Sequence, residues 1–80
     1  MHELGVLLEV VRIVRDTAQQ HRIRSVTSVT LSVGEDSGYL PVFLERLFPA
    51  AKENVPVMKN AELVLEKVPG RGIQVKEIGY

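Results

Sequence analysis

A chain of 80 residues, 45% apolar and 25% charged, suffices for one small domain and not for two. Ten Lys and Arg against ten Asp and Glu leave no formal net charge, which excludes a protein whose affinity rests on neutralising phosphates, so no nucleic-acid partner is expected. The chain has no cysteine, so disulfides and thiolate metal clips are excluded and stability has to come from packing.

In residues 3–22, Leu4, Leu7, Leu8, Val11, Val14 and Ala18 recur at helical spacing, and Val6, Val10, Ile13 and Thr17 form a second stripe beside them. The apolar face of this first helix is wider than one sheet contact needs, so a further contact is expected to cover it. Arg12, Arg15, Gln19 and Arg22 share the polar side, a solvated face that could also dock an acidic partner. Residues 25–33 alternate as a half-buried strand, with Thr27, Val29, Leu31 and Val33 on one side. Turn residues fill positions 34–38, and Pro41 suits the first position of a second helix. Its stripe is Leu40, Phe43, Leu44, Leu47, Phe48 and Ala51. Pro49 removes one hydrogen bond, so that helix either ends near Phe48 or kinks and continues for a turn. Residues 62–68 and 73–78 read as two more strands, and Pro69-Gly70-Arg71-Gly72 between them reads as the turn of an antiparallel hairpin. The expected fold is α/β of the α+β type: two helices packed on a mixed three-stranded sheet, in the order α-β-α-β-β.

Met1-His2-Glu3 is the chemically distinctive segment. A His at the second position brings its imidazole Nδ1 together with its own backbone nitrogen and the α-amine of Met1, closing fused chelate rings on one ion. Such a nitrogen-rich planar set suits Ni(II) or Cu(II), not Ca(II) or Mg(II). The first N–H groups of a helix have no intrahelical partner, so the amides of His2 and Glu3 can serve as ligands without breaking the helix. Against this stands the positive end of the helix dipole, offset by deprotonated amides and the Glu3 carboxylate. On spacing alone, His2 is an arbitrary residue after Met1, and Glu3 a first-turn carboxylate placed for the dipole.

The whole chain resembles a known family. Met1-His2-Glu3-Leu4 opening an amphipathic helix, then residues 29–38 (VTLSVGEDSG), 61–66 (AELVLE) and 72–78 (GIQVKEI) are similar, in the same order, to the HypA/HybF nickel metallochaperones of [NiFe] hydrogenase and, in some bacteria, urease maturation. The resemblance implies that Met1, His2 and Glu3 ligate Ni(II), that the nickel passes to an enzyme precursor, of [NiFe] hydrogenase in the first place, and that a maturation GTPase is a partner. The family carries a zinc-binding insertion with two Cys-x-x-Cys pairs where only residues 69–72 stand here, so residues 1–80 are expected to form a single nickel-binding α/β domain with no zinc site. The alternative is a metal-independent dimerisation or docking module derived from the same domain.

Other features carry less. His21 lies roughly 28 Å along the helix from His2, too far to share an ion within one chain. Glu35 and Asp36 are a solvated turn unless their loop folds beside the N-terminus. No Ser stands in a nucleophile context and no Gly cluster cradles phosphate, so an enzyme is not expected. No apolar run approaches the roughly 18–20 residues of a membrane span and no basic targeting segment opens the chain, so no membrane partner and a cytoplasmic location are expected. The wide face of the first helix and the open edge of residues 73–78 favour a homodimer, with Val10 a candidate interface residue if the helix forms it.

Overall fold

The structure, a computed structural model, describes residues 2–80, His2 by its backbone alone. Helix α1 is His2–Gln20, strand β1 Ser28–Gly34, helix α2 Pro41–Ala51, followed by a 3-10 turn at Pro56–Met58 and strands β2 Glu62–Val68 and β3 Ile73–Gly79. Two helices and a mixed three-stranded sheet in the order α-β-α-β-β make an α+β fold, as the hydrophobic periods predict.

The strand order is β2-β1-β3. Strand β1 pairs parallel to β2, with Ser28 opposite Glu62 and Gly34 opposite Val68, and antiparallel to β3, with Val33 opposite Ile73. The expected β2–β3 hairpin does not form: residues 69–72 arch over the end of β1 instead. Four extended residues easily span the two strand spacings, about 10 Å, between the sheet edges. Gly34 N–H donates to Gly72 O at 2.7 Å, and Glu35 and Asp36 N–H donate to Val68 O and Gly70 O, both at 2.8 Å. β1 belongs in the centre because it is the strand buried on both faces: Val29, Leu31 and Val33 face the helices, and even Thr30 on the other face is 8% exposed. The outer strands alternate between half-buried and exposed positions.

Leu7, Val10, Val11, Val14 and Ala18 of α1 and Leu44, Phe48 and Ala51 of α2 close the core over this face, with Met58 from the 3-10 turn. The buried stripe of α1 therefore includes Val10 and leaves Leu4 and Leu8 in solvent, 38% and 51% exposed. Val10, a candidate interface residue if α1 formed a dimer contact, is a core residue. Helix α2 runs through Pro49 to Ala51. Only the last turn follows the proline, and Lys52 secures it: its N–H bonds to Phe48 O at 3.1 Å, while its ammonium donates to Ala61 O at 2.8 Å and lies 5.3 Å above the Phe48 ring. Helix α1 ends in a Schellman-type cap, in which Ile23 N–H reaches back to Ala18 O at 2.8 Å and Arg22 adopts φ 57°.

Two stability outcomes are expected. A Cβ on Gly34 would lie 2.4 Å from Gly70 O, a backbone atom held by the Asp36 hydrogen bond; Gly34→Ala should therefore cost about 1–3 kcal/mol in urea unfolding. Arg22→Gly should raise stability by about 0.5–1 kcal/mol in the same assay, since glycine occupies the left-handed region without the Cβ penalty.

Candidate metal-binding end of the domain

Leu40 occupies the N-cap position of α2 with extended dihedrals and no side-chain cap. Its Cβ substituent carries no acceptor, and Pro41 behind it has no N–H, so the helix start needs an acceptor from elsewhere. Glu3 supplies it: Leu40 N–H donates to Glu3 Oε2 at 3.2 Å across 37 residues of sequence. The two helix N-termini thus meet at the carboxylate of Glu3, a residue only 8% exposed. Its own backbone N–H and that of Leu40 hold the Glu3 carboxyl below the usual carboxylate range, against the opposing effect of burial. Glu3 is more than the dipole complement its position suggests; it joins α1 to α2.

The same end of the sheet collects the termination of β1 and the 69–72 connection. Ser37 Oγ accepts from Tyr39 N–H at 3.2 Å, shaping the turn that delivers Leu40. Glu35 and Asp36 belong to this loop, their side chains in solvent and their amides bonded to the 69–72 arch. Of the proposed ligand residues, Met1 lies outside the described residues, and His2 is placed by its backbone in the first turn of α1. Among the described residues no three His, Asp or Glu side chains gather as a metal cluster. His21 sits past the far end of α1, its N–H bonded to Thr17 O at 3.1 Å.

Leu40 is the participant that sequence reasoning missed. Its signal was an apolar residue directly before a helix-starting proline, a cap position without a capping side chain. The arginine face also changes character. Arg12 pairs with Glu9 and with Asp16 along the helix, Arg15 pairs with Asp16 at 3.3 Å, and Arg22 belongs to the cap beyond the helix.

These elements define a small α+β domain whose two helices present their N-termini together, at the end where the chain crosses the central strand. Residues 1–73 match the family described as hydrogenase/urease nickel incorporation, metallochaperone, HypA, and the chain belongs to that family. It is 43% identical over 72 residues to the hydrogenase maturation factor HypA of Streptomyces avermitilis, covering 89% of this chain and 54% of that protein. Against the factor of the same name from Geobacter metallireducens it is 39% identical over 72 residues, covering 90% and 62%. The chain thus spans between about half and two thirds of the length of these curated relatives. The solution structure of the nickel metallochaperone HypA from Helicobacter pylori superposes with a TM-score of 0.77 over 94% of this chain and 70% of that one, at 16% identity, which shows a common fold.

Because the Glu3 carboxyl is held below its ordinary value of 4.5 in the folded state, the stability it contributes is complete above that pH and is lost as pH falls through the lower folded value. Glu3→Gln keeps an acceptor for Leu40 N–H but has no charge to titrate. Its melting temperature should fall less than that of the wild type between about pH 6 and about pH 3. An equal fall in both proteins would remove Glu3 from the acid response.

Proposed function

We propose that this chain binds Ni(II) through the α-amine of Met1, the backbone nitrogen and imidazole of His2, and Glu3, and delivers the ion during maturation of a nickel enzyme, with [NiFe] hydrogenase as the first candidate. The observation that carries the reading is the placement of His2 and Glu3 in the first turn of α1. There a backbone N–H lies outside the i→i−4 ladder, so a metal can take it without breaking the helix. The Glu3 carboxylate accepts from Leu40 N–H, which fixes the first turn of α1 against α2. Membership of a nickel-incorporation metallochaperone family supports nickel as the cargo.

Residues 1–80 act in this reading as one nickel-binding domain that needs no zinc. Delivery goes to the precursor of the nickel enzyme, directly or through a maturation GTPase, and takes place in the cytoplasm. Among the described residues no helix is long and apolar enough to cross a membrane. In this reading the protein carries its ion and does not turn over a substrate, as befits a member of a metallochaperone family.

The test is calorimetric titration of Ni(II) into protein with a free N-terminus. His2→Ala should abolish tight binding and leave the circular dichroism spectrum unchanged, since His2 precedes the buried stripe that starts at Glu3 and Leu7. Equal affinity in the two proteins would refute the site, and absence of binding in the wild type would leave the docking-module alternative. Cu(II) should bind more tightly than Ni(II) and Zn(II) more weakly, and nickel affinity should decline below about pH 6.5 as imidazole and amine take up protons.

A further inference from the structure

Strand β2 lies at the edge of the sheet, and in its parallel ladder with β1 a single row of residues makes every bond to β1. The two ends of the ladder identify that row: Glu62 N–H donates to Thr27 O at 3.0 Å, and Val68 O accepts from Glu35 N–H at 2.8 Å. The backbone groups of Leu63, Leu65 and Lys67 therefore point to the open edge, and among the described residues no loop backbone bonds to them. The side chains of these three face the helices, since they lie opposite buried Val29, Leu31 and Val33. Between this edge and α2 runs a groove of about 310 Å³ lined by Val33, Pro41, Glu45, Leu65, Glu66 and Lys67.

An open strand beside a groove and a helix can take an extended peptide as a further strand, held by main-chain hydrogen bonds and selected by alternate side chains. The charges indicate which peptide. Lys67 in the helix-side row, Glu45 across the groove and Glu62 in the outer row make no ion pair among the described residues, whereas Glu66 is taken by Lys76 at 2.7 Å. A second copy of β2 does not satisfy Lys67. Opposite residues of an antiparallel two-fold pair share a row, and the helix-side row of the strand holds Leu63, Leu65 and Lys67, so no such register brings a carboxylate to the ammonium.

We propose that the β2 edge is a docking site for an extended segment of another protein, which adds antiparallel to β2 as a fourth strand, with a carboxylate opposite Lys67, apolar side chains opposite Leu65 and Leu63, and a cation opposite Glu62. Antiparallel pairing is the more stable per residue. In that direction the acidic residue comes first and lies beside Pro41, at the end of the domain where Glu3 meets Leu40. Docking of this kind does not depend on the metal.

The probe is a capped, fluorescently labelled peptide with the core Glu-Thr-Val-Thr-Val-Lys, titrated into the metal-free protein. Anisotropy should show saturable binding, and hydrogen exchange should slow at the amides of Leu63, Leu65 and Lys67. Methylating the backbone nitrogen of the first valine, which lies opposite Leu65, removes the donor to Leu65 O and should weaken binding at least about tenfold. Lys67→Glu should weaken binding at least about threefold, and a peptide with Lys in place of its leading Glu should bind that variant more tightly than the original peptide does. Glu62→Lys, tested with a peptide whose last residue is Glu, makes the same exchange at the other end of the strand. Both positions are exposed, and thermal melts check that both variants fold. No saturable binding up to about 1 mM, slowed exchange confined to residues outside β2, or charge exchange without recovery of affinity would overturn the proposal.

Discussion

The placement of β1 between two partners governs the rest of the molecule. A strand hydrogen-bonded along both edges must be apolar toward the helices and shielded on its other face. Val29, Leu31 and Val33 meet the first demand, and nearly buried Thr30 the second. Parallel pairing with β2 requires the chain to travel back between the strands, and α2 makes that return journey. Antiparallel pairing with β3 then requires the chain to cross the end of β1, where the absence of a side chain at Gly34 lets the Gly70 carbonyl approach. One buried strand thereby sets the topology of α2, the path of residues 69–72, and a sheet whose helices lie on one side.

The Glu3–Leu40 hydrogen bond ties the first turn of α1 to the start of α2. First turns of helices fray because their N–H groups lack partners, and a ligand set built from the first residues of a chain would lose its geometry in a fraying turn. Anchoring the third residue to the cap of another helix restrains the first turn of α1. The carboxylate lies where the positive ends of both dipoles favour negative charge.

Much of the surface charge is consumed locally. Glu9, Arg12, Arg15 and Asp16 form a chain of exposed pairs on the outer side of α1, and Lys76 and Glu66 close over the outer face of β1. Such exposed pairs contribute little stability individually. They do offset the charges of Arg12 and Arg15, two of the three arginines on that face.

The sequence by itself determined the elements and the end at which metal chemistry is expected. Helical and strand periods are local, Pro41 marks the start of α2, and Met1-His2-Glu3 carries its chelating pattern through adjacency alone; the resemblance carried by the short motifs along the chain led to the same family that residues 1–73 match. Tertiary structure decided what depends on residues far apart in the chain. The Gly-bearing connection 69–72 obeys a local hairpin rule, yet β2 and β3 gain more by flanking the apolar β1 than by pairing with each other. The two overlapping stripes of α1 are equally helical in sequence, and only the position of α2 and the sheet buries Val10 while leaving Leu4 and Leu8 in solvent. Glu3 finds its acceptor role at Leu40 because folding brings together two helix starts that sequence separates by 37 residues. Periodicity records which side of an element is apolar; which neighbour covers that side is fixed only when all the elements compete for the same core.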